Sequence, residues 1–517
     1  MRYVYLILFV IVLGFPFALR RAMVREDRAA EQPRGAARLV VVTPHNGDIR
    51  REFGRAFDAW HRQHYGRAVV IDFRVPGGTS DLVRFISGIY ATFRGPDGAL
   101  PPTVPIDLDL VWGGGDYTFY HDLQPLGVLQ PVRLDAKLLK EAFPQDALAG
   151  VRLYDGTKDS SGAPKPQWVG VCLSSFGIIY NPQLYSTLGL PPPKQWSDLA
   201  DAKLFRWVAL ADPAHSGSAA VAYMMVIQRA MADAEANFFA AHPEMKKLAR
   251  GDLRKRSDYQ DAIAAGWKRG MGQLLLIAAN ARYFADSSEL PPTDVARGEA
   301  AAGMSIDFYA RVTEGIAGPE RARFVAPHAA TAITPDPIAV LHGVSGERLV
   351  LATHLLEFLL SPEAQRLWIL EPGQPGGPVE RSPRRMPVRR DVYADQTGWA
   401  DHFNPFEEAG DFNQRGEWMA TMSDTRPVWN AAWIDSRDAL IASYQTILRV
   451  SDLRRRADLL AKLADVPITL HEIEQIRTDR QRLEKEHADL DKWRAQQRIE
   501  WGRRFRDHYA QVARQAR

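Results

Sequence analysis

The side chains able to do chemistry in this chain gather at the ends of short apolar runs. Thr43, His45 and Asn46 follow "RLVVV", Gly77, Gly78, Thr79 and Ser80 follow "VVIDFRVP", and Gly113, Gly114, Gly115 and Asp116 follow "IDLDLVW". A fourth stretch, "GEAAAGMSIDFYAR" from Gly298 to Arg311, leaves a helix, turns at a glycine and enters a strand tipped by Asp307, Phe308 and Tyr309. Hydroxyls, amides and backbone N–H groups hydrogen-bond a ligand. Bond-breaking chemistry has little support. There is no GxSxG elbow, HExxH helix, P-loop or dinucleotide fingerprint, and no histidine stands in a convincing position beside the serines and aspartates. The single Cys172 rules out an internal disulfide, a CxxC pair and a multi-cysteine zinc site, and reads as a small buried thiol.

The elements that must position these residues alternate. "RLVVVTP" predicts a buried strand, and Ile49, Phe53, Phe57 and Trp60 recur at helical spacing up to Gly66. A second strand, a second helix in "TSDLVRFISGIY" and a third strand in "IDLDLVW" complete βαβαβ, which means a parallel sheet covered by helices. In such sheets a ligand lies beyond the carboxyl ends of the strands, where helix N-termini face a crevice. All three polar strand ends then point into one cleft.

With 517 residues, 46% of them hydrophobic, the chain can fill two or more cores. Lys+Arg at 65 against Asp+Glu at 62 gives a formal +3, so no global field argues for a nucleic acid partner. The arginine run "RSPRRMPVRR" (Arg381 to Arg390) is expected to be a solvated face, with a docking patch as the alternative. His61 and His64 are likewise read as solvated. "LLLIAANARYFADSS" is read as an apolar strand followed by Asn280 and Arg282. At the N-terminus, "YVYLILFVIVLGFPFAL" (Tyr3 to Leu19) addresses the chain to a membrane, as an uncleaved anchor or a removed signal. Near the other end, Thr469 and Glu472 predict a capping box opening a long charged helix. Ile476, Leu483 and Leu490 recur at sevens, but Arg480 and His487 interrupt the seam, so the helix is expected to be solvated and dispensable from residue 470 onward.

Beyond these local patterns, an ordered set of segments resembles a known family. "VVIDFRVPGGTSDLVRFI", "DLDLVWGGGDYTFYHDLQPLGVLQPV", "WVGVCLSSFGIIYNPQLYSTLGLPPPKQWSDLAD", "WVALADPAHSGSAAVAYM", "DVARGEAAAGMSIDFYAR" and "PDPIAVLHGVSGERLVLATHLLEFLLSPEAQRLW" follow one another as in extracellular solute-binding proteins of ABC transporters, in the family that includes the ferric-ion binders. The likeness spans roughly residues 38 to 393. It implies an α/β, two-lobed periplasmic-binding-protein-like fold of type II that closes over its ligand by a hinge. Residues 1–24 would be the membrane anchor or signal and 25–37 a linker. Lobe one would take 38–174 with 336–393, lobe two 175–335, and 394–517 would form a helical C-terminal extension. The crossovers would lie near "CLSSFG", which contains Ser175, and "TPDPIAV".

What the resemblance implies for the site is a set of ligand-binding residues: Asn46, Thr79, Ser80, Gly115, Asp116, Ser175, an anion-binding turn at Ser216, Gly217 and Ser218, and the strand-tip pair Asp307 and Tyr309. The bland alternatives are helix capping by the serines and threonine and an ordinary turn aspartate at position 116. The ferric branch keeps two adjacent tyrosines where this chain has Phe308 and Tyr309, and a glutamate where it has the glycines of "WGGGD"; its histidine aligns only loosely with His45. Phe308 has no oxygen to offer, so a small polar or anionic organic solute is expected, with ferric ion as the alternative ligand. No cofactor and no resident metal is expected. The implied partners are the solute, an ABC permease and, through the N-terminal segment, a membrane, in a periplasmic or extracellular setting. A membrane-tethered sensory or scaffold protein using the same domain as its input is the alternative function.

Overall fold

The computed structural model of the chain describes residues 35–408, 412–486 and 489–517. The apolar run at residues 3–19 lies outside them, and no helix among the described residues is long and apolar enough to cross a membrane. Two mixed sheets organise the chain. The strands of the first are β1 (Ala37–Val42), β2 (Val69–Arg74), β3 (Leu110–Trp112) and β4 (Leu129–Gln130). After a small hairpin of β5 (Ala147–Leu148) and β6 (Val151–Arg152), β7 (Val169–Ser174) joins the same sheet. The second sheet begins one residue later with β8 (Phe176–Tyr180) and continues through β9 (Val208–Ala211), β10 (Ala281–Ala285), β11 (Ala302–Ile306) and β12 (Arg323–Val325). The chain then returns to the first sheet as β13 (Thr334–Leu341) and β14 (Met386–Pro387).

The first sheet runs in the order β14-β7-β13-β3-β1-β2, with β4 against β13; the second runs β10-β9-β11-β8-β12. The expected parallel start is there: β1 pairs in parallel with both β2 and β3, while β13 lies antiparallel to β3 and β7. The helix Gly47–Tyr65 begins where Asn46 Oδ1 accepts from the Ile49 N–H at 3.1 Å, and stops at Gly66 in the left-handed conformation. Its Ile49, Phe53 and Phe57 are buried against the sheet, as their spacing predicted.

Several local readings are corrected. "LLLIAA" is the end of a helix, Ser257–Ala279, apolar all round because it is covered on several sides; the strand is the following "ARYFA". Asn280 donates to Leu199 and Asp201 carbonyls, and Arg282 pairs with Glu299. His61 is buried between the Arg67 carbonyl at 2.8 Å and His354 at 3.1 Å. The arginine run is solvated only at its ends. Arg381 and Arg390 are exposed, but Arg385 is 1% exposed and Arg389 3%, because residues 385–389 around β14 are all buried.

The larger surprise is a third passage between the lobes. At Gln414 the backbone N–H still bonds Ala149 in the first lobe at 3.1 Å, and at Arg415 it bonds Gln228 of the second at 3.1 Å. From there the chain stays on lobe two. Trp418, Trp429, Trp433 and Tyr444 join a core with the long helices Gly217–Ala241 and Ser257–Ala279. The predicted capping box at Thr469 and Glu472 is formed, but the helices it introduces, Leu470–Lys485 and Leu490–Ala516, bury Ile473, Trp501, Phe505, Tyr509 and Val512 in the same core. Those residues follow no clean heptad because they pack on several partners.

Ending the chain at residue 469 is therefore expected to give insoluble protein or a broad, non-cooperative melt, and Phe505→Ala alone to cost about 3–5 kcal/mol in denaturant unfolding. A soluble truncated chain that melts as sharply as the full one would contradict this packing.

Candidate functional site

Between the lobes lies a cavity of about 1170 Å³, walled by strand ends of both sheets and by the returning C-terminal segment. Its base is a buried charge cluster. Asp336, on β13, accepts from the guanidinium of Arg385, from the backbone N–H of Gly115 at 3.0 Å and from His45 Nε2 at 2.9 Å. Arg385 Nη2 donates to Ser174 Oγ at 2.6 Å, and its guanidinium lies 4.3 Å from the centre of the Phe308 ring. Burial alone would raise Asp336, but Arg385, His45 and the Gly115 N–H together hold it well below the usual carboxylate range. His45 moves down because burial outweighs the neighbouring carboxylate. Phe308 thus serves as a cover for a buried cation.

The first-lobe wall is the glycine turn after β3. Gly113, Gly114 and Gly115 all have positive φ, 90°, 111° and 82°, and a Cβ on Gly113 would fall 2.8 Å from the His45 ring. Asp116, next in line, has no cationic partner among the described residues. Its enclosure raises it to about 7, against the opposing pull of the Tyr117 backbone N–H and its own, with a push from Asp336. Beside it begins the helix Thr79–Ala91, whose Gly78 N–H already bonds Asp81 Oδ2 at 3.1 Å.

The second-lobe wall starts at the helix Gly217–Ala241. Ser216 caps it, accepting from the Ala219 N–H at 3.2 Å, and the first turn carries no acid. Ser216, Ser218 and Ser288 form a triangle of mutually bonded hydroxyls, with Ser216–Ser218 at 3.3 Å and Ser218–Ser288 at 3.0 Å. The lobes touch here. A Cβ on Gly217 would sit 3.2 Å from Thr79 Cβ, and one on Gly78 3.1 Å from the His215 carbonyl.

Of the residues singled out from the sequence, Asn46, Thr79, Ser80, Gly115, Asp116, Ser216, Gly217, Ser218 and Tyr309 line this cavity. Asn46 Oδ1 is engaged in capping. Ser175 and Asp307 are brought together away from the wall: the Ser175 N–H and hydroxyl donate to Asp307 Oδ2 at 2.8 and 3.2 Å, and both residues are buried. Asp307, raised to about 6 by burial, fastens β11 to the crossover that separates β7 from β8. The acid expected at the strand tip is instead the first residue of the helix Asp307–Ala317, since β11 ends at Ile306, and it acts as this tie. Tyr309 does reach the cavity, with its phenol raised by burial and by Glu289.

Sequence reasoning missed Asp336, Arg385, Ser288, Arg426 and Asn430, all on the cavity wall. An aspartate between two prolines inside the apolar run "TPDPIAVL" was a usable sign of a buried charge. Nothing local marked Arg426 or Asn430, because only the third passage brings them to the cleft.

Residues 165–369 match the family model of bacterial extracellular solute-binding proteins, which bears out the resemblance read from the sequence. Among solved structures, periplasmic binding protein AfuA from Actinobacillus pleuropneumoniae, with exogenous fructose-6-phosphate bound, is 17% identical. That match covers 77% of this chain and 98% of that one at a TM-score of 0.49. Iron-bound HitA from Pseudomonas aeruginosa is 16% identical over 75% of this chain and 99% of its own, with a TM-score of 0.45. A putative extracellular solute-binding protein from Bordetella parapertussis is 16% identical over 78% and 99%, also at 0.45. No curated protein sequence gives a significant match.

Two outcomes follow from the electrostatics. Arg385→Met leaves Asp336 buried without its cation and is expected to cost about 3–5 kcal/mol of stability in chemical unfolding. A variant as stable as wild type would show that the pair is not needed. Asp116 is harder to ionise when folded, so its contribution is fully present below 3.8 and lost as pH rises through about 7. Asp116→Asn should flatten the fall in melting temperature across that window; an unchanged pH profile would mean that this carboxyl titrates normally.

Proposed function

We propose that this chain is the solute-binding component of an ABC importer, capturing a small polar or anionic organic solute between its lobes without catalysing a reaction. The observation that carries the reading is the meeting of Thr79 and Gly217 beside the uncapped-by-acid helix start at Ser216–Ser218, at the mouth of a cavity walled by both lobes. Helix N–H groups and three hydroxyls form a ready cradle for polar oxygens. The permease would receive the solute, and the setting would be periplasmic or extracellular. Ferric ion is less well served, because Phe308 lies against the Arg385 guanidinium and supplies no oxygen. The sensory alternative needs a C-terminal helix free to signal, whereas that helix is packed into lobe two.

The test is thermal unfolding of the full chain against phosphate, sugar phosphates, phosphonates, polyamines, amino acids and ferric ion. A true ligand at a hundred times its dissociation constant adds about 2.7 kcal/mol. Ser216→Ala and Ser218→Ala should each weaken binding by about 0.5–1.5 kcal/mol for a neutral solute and about 1.5–3 for a charged one. A ligand bound equally well by both variants would place the site elsewhere. An intense tyrosinate colour with ferric ion, lost in Tyr309→Phe, would favour the iron reading.

A further inference from the structure

The third passage carries a wall of the cavity that the two lobes do not supply. It enters as the helix Met422–Trp429, interrupted by Pro427, and runs on into a wide π-turn, Asn430–Ile434. Arg426 and Asn430, four residues apart, face the cavity together with Ser216, Ser218 and Ser288. The Arg426 side chain makes no hydrogen bond or ion pair among the described residues, and its Nε is sealed from solvent without a partner. Asp122, Asp212 and Tyr117 lie within electrostatic reach but do not bond it, and burial still lowers its proton affinity. Asp212 is already engaged by the Ala214 N–H at 2.7 Å and by Asn430 Nδ2 at 3.0 Å. That second bond fixes the Asn430 amide, whose Oδ1 is left unmatched on a side chain only 4% exposed.

A half-buried guanidinium whose Nε is sealed and which pairs with no described carboxylate is an incomplete pair. Across the same cavity stands a helix start with three hydroxyls beside it and no acid in its first turn, whereas the helix start at Thr79 carries Asp81, which accepts from the Gly78 N–H. Resting on the solute-binding reading, we propose that the C-terminal segment completes the binding site: Arg426 and the Ser216–Ser218 helix start clamp one oxyanion group of a phosphate-like organic solute, and Asn430 Oδ1 accepts from a hydroxyl of the same molecule. The guanidinium supplies forked N–H donors and charge, and the helix start supplies backbone N–H groups aligned with its dipole. The segment beyond the first two lobe crossings is then part of the recognition surface, and solutes are selected by an oxyanion with a neighbouring hydroxyl.

Isothermal titration of the full chain with glycerol 3-phosphate, inorganic phosphate and glycerol tests this, alongside the melting temperature of each variant without solute. Glycerol 3-phosphate is expected to bind more tightly than inorganic phosphate, glycerol not at all, and added salt to weaken both anions. Arg426→Gln should weaken the two anions by about 10- to 100-fold, the range of a charge-assisted hydrogen bond, with Arg426→Lys in between. Because the Arg426 side chain bonds no described residue, Arg426→Gln without solute should melt no lower than wild type. Anion binding unchanged in Arg426→Gln but lost in Ser216→Ala would overturn the role of the C-terminal segment and leave the solute-binding reading standing. The same holds if only neutral members of the wider solute panel bind. A large drop in the melting temperature of Arg426→Gln without solute would make the residue structural and overturn the proposal. If no solute in either panel binds, both readings fall.

Discussion

Asp336 sits in the middle of an apolar strand, and an acid so placed can remain charged only if donors converge on it. Arg385 supplies the charge, His45 and the Gly115 N–H the remaining bonds. Each donor comes from a different part of the chain: the end of the first strand, the glycine turn after the third and the segment that returns as the edge strand β14. Satisfying one buried carboxylate therefore fixes three strand ends relative to one another. The cleft's base is rigid because leaving any one of these groups unpaired away from water costs several kcal/mol.

Onto that base the chain adds polar groups that remain incompletely used. Hydroxyls of Ser216, Ser218 and Ser288 bond mainly one another, and among the described residues Asp116 bonds no cation and the Arg426 side chain bonds no carboxylate. Such groups are costly inside a protein unless a further molecule completes them. The carboxylate at the base has its donors, whereas the polar groups of the wall are only partly matched. A third connection between the lobes, absent from a two-crossing arrangement, ties Gln414 to one lobe and Arg415 to the other and so constrains how the walls move apart.

Much of this was legible in the sequence where the signal was local. Alternating strand and helix patterns placed β1 to β3, and the family resemblance implied a crossover near Ser175 and a turn at Ser216. Local signals failed wherever the deciding contact was distant. Arg385 looked solvated because arginines in a run usually are, yet it answers an aspartate 49 residues earlier. "LLLIAA" looked like a strand because a helix covered on all sides has lost its period. The last two helices looked solvated because residues such as Trp501 and Tyr509 pack on several partners, so no single seam repeats.

The account's central claim is that a small solute occupies the space between the Ser216 helix start and the far wall, above an undisturbed Asp336–Arg385 base. A crystal structure of the full chain grown with the solute that stabilises it most in solution tests this directly. The account predicts density for that solute between Ser216, Ser218 and Arg426, with the bonds of Asp336 retained. Density for the solute outside the interlobe cavity, or a cavity filled only by water at saturating solute, would contradict it.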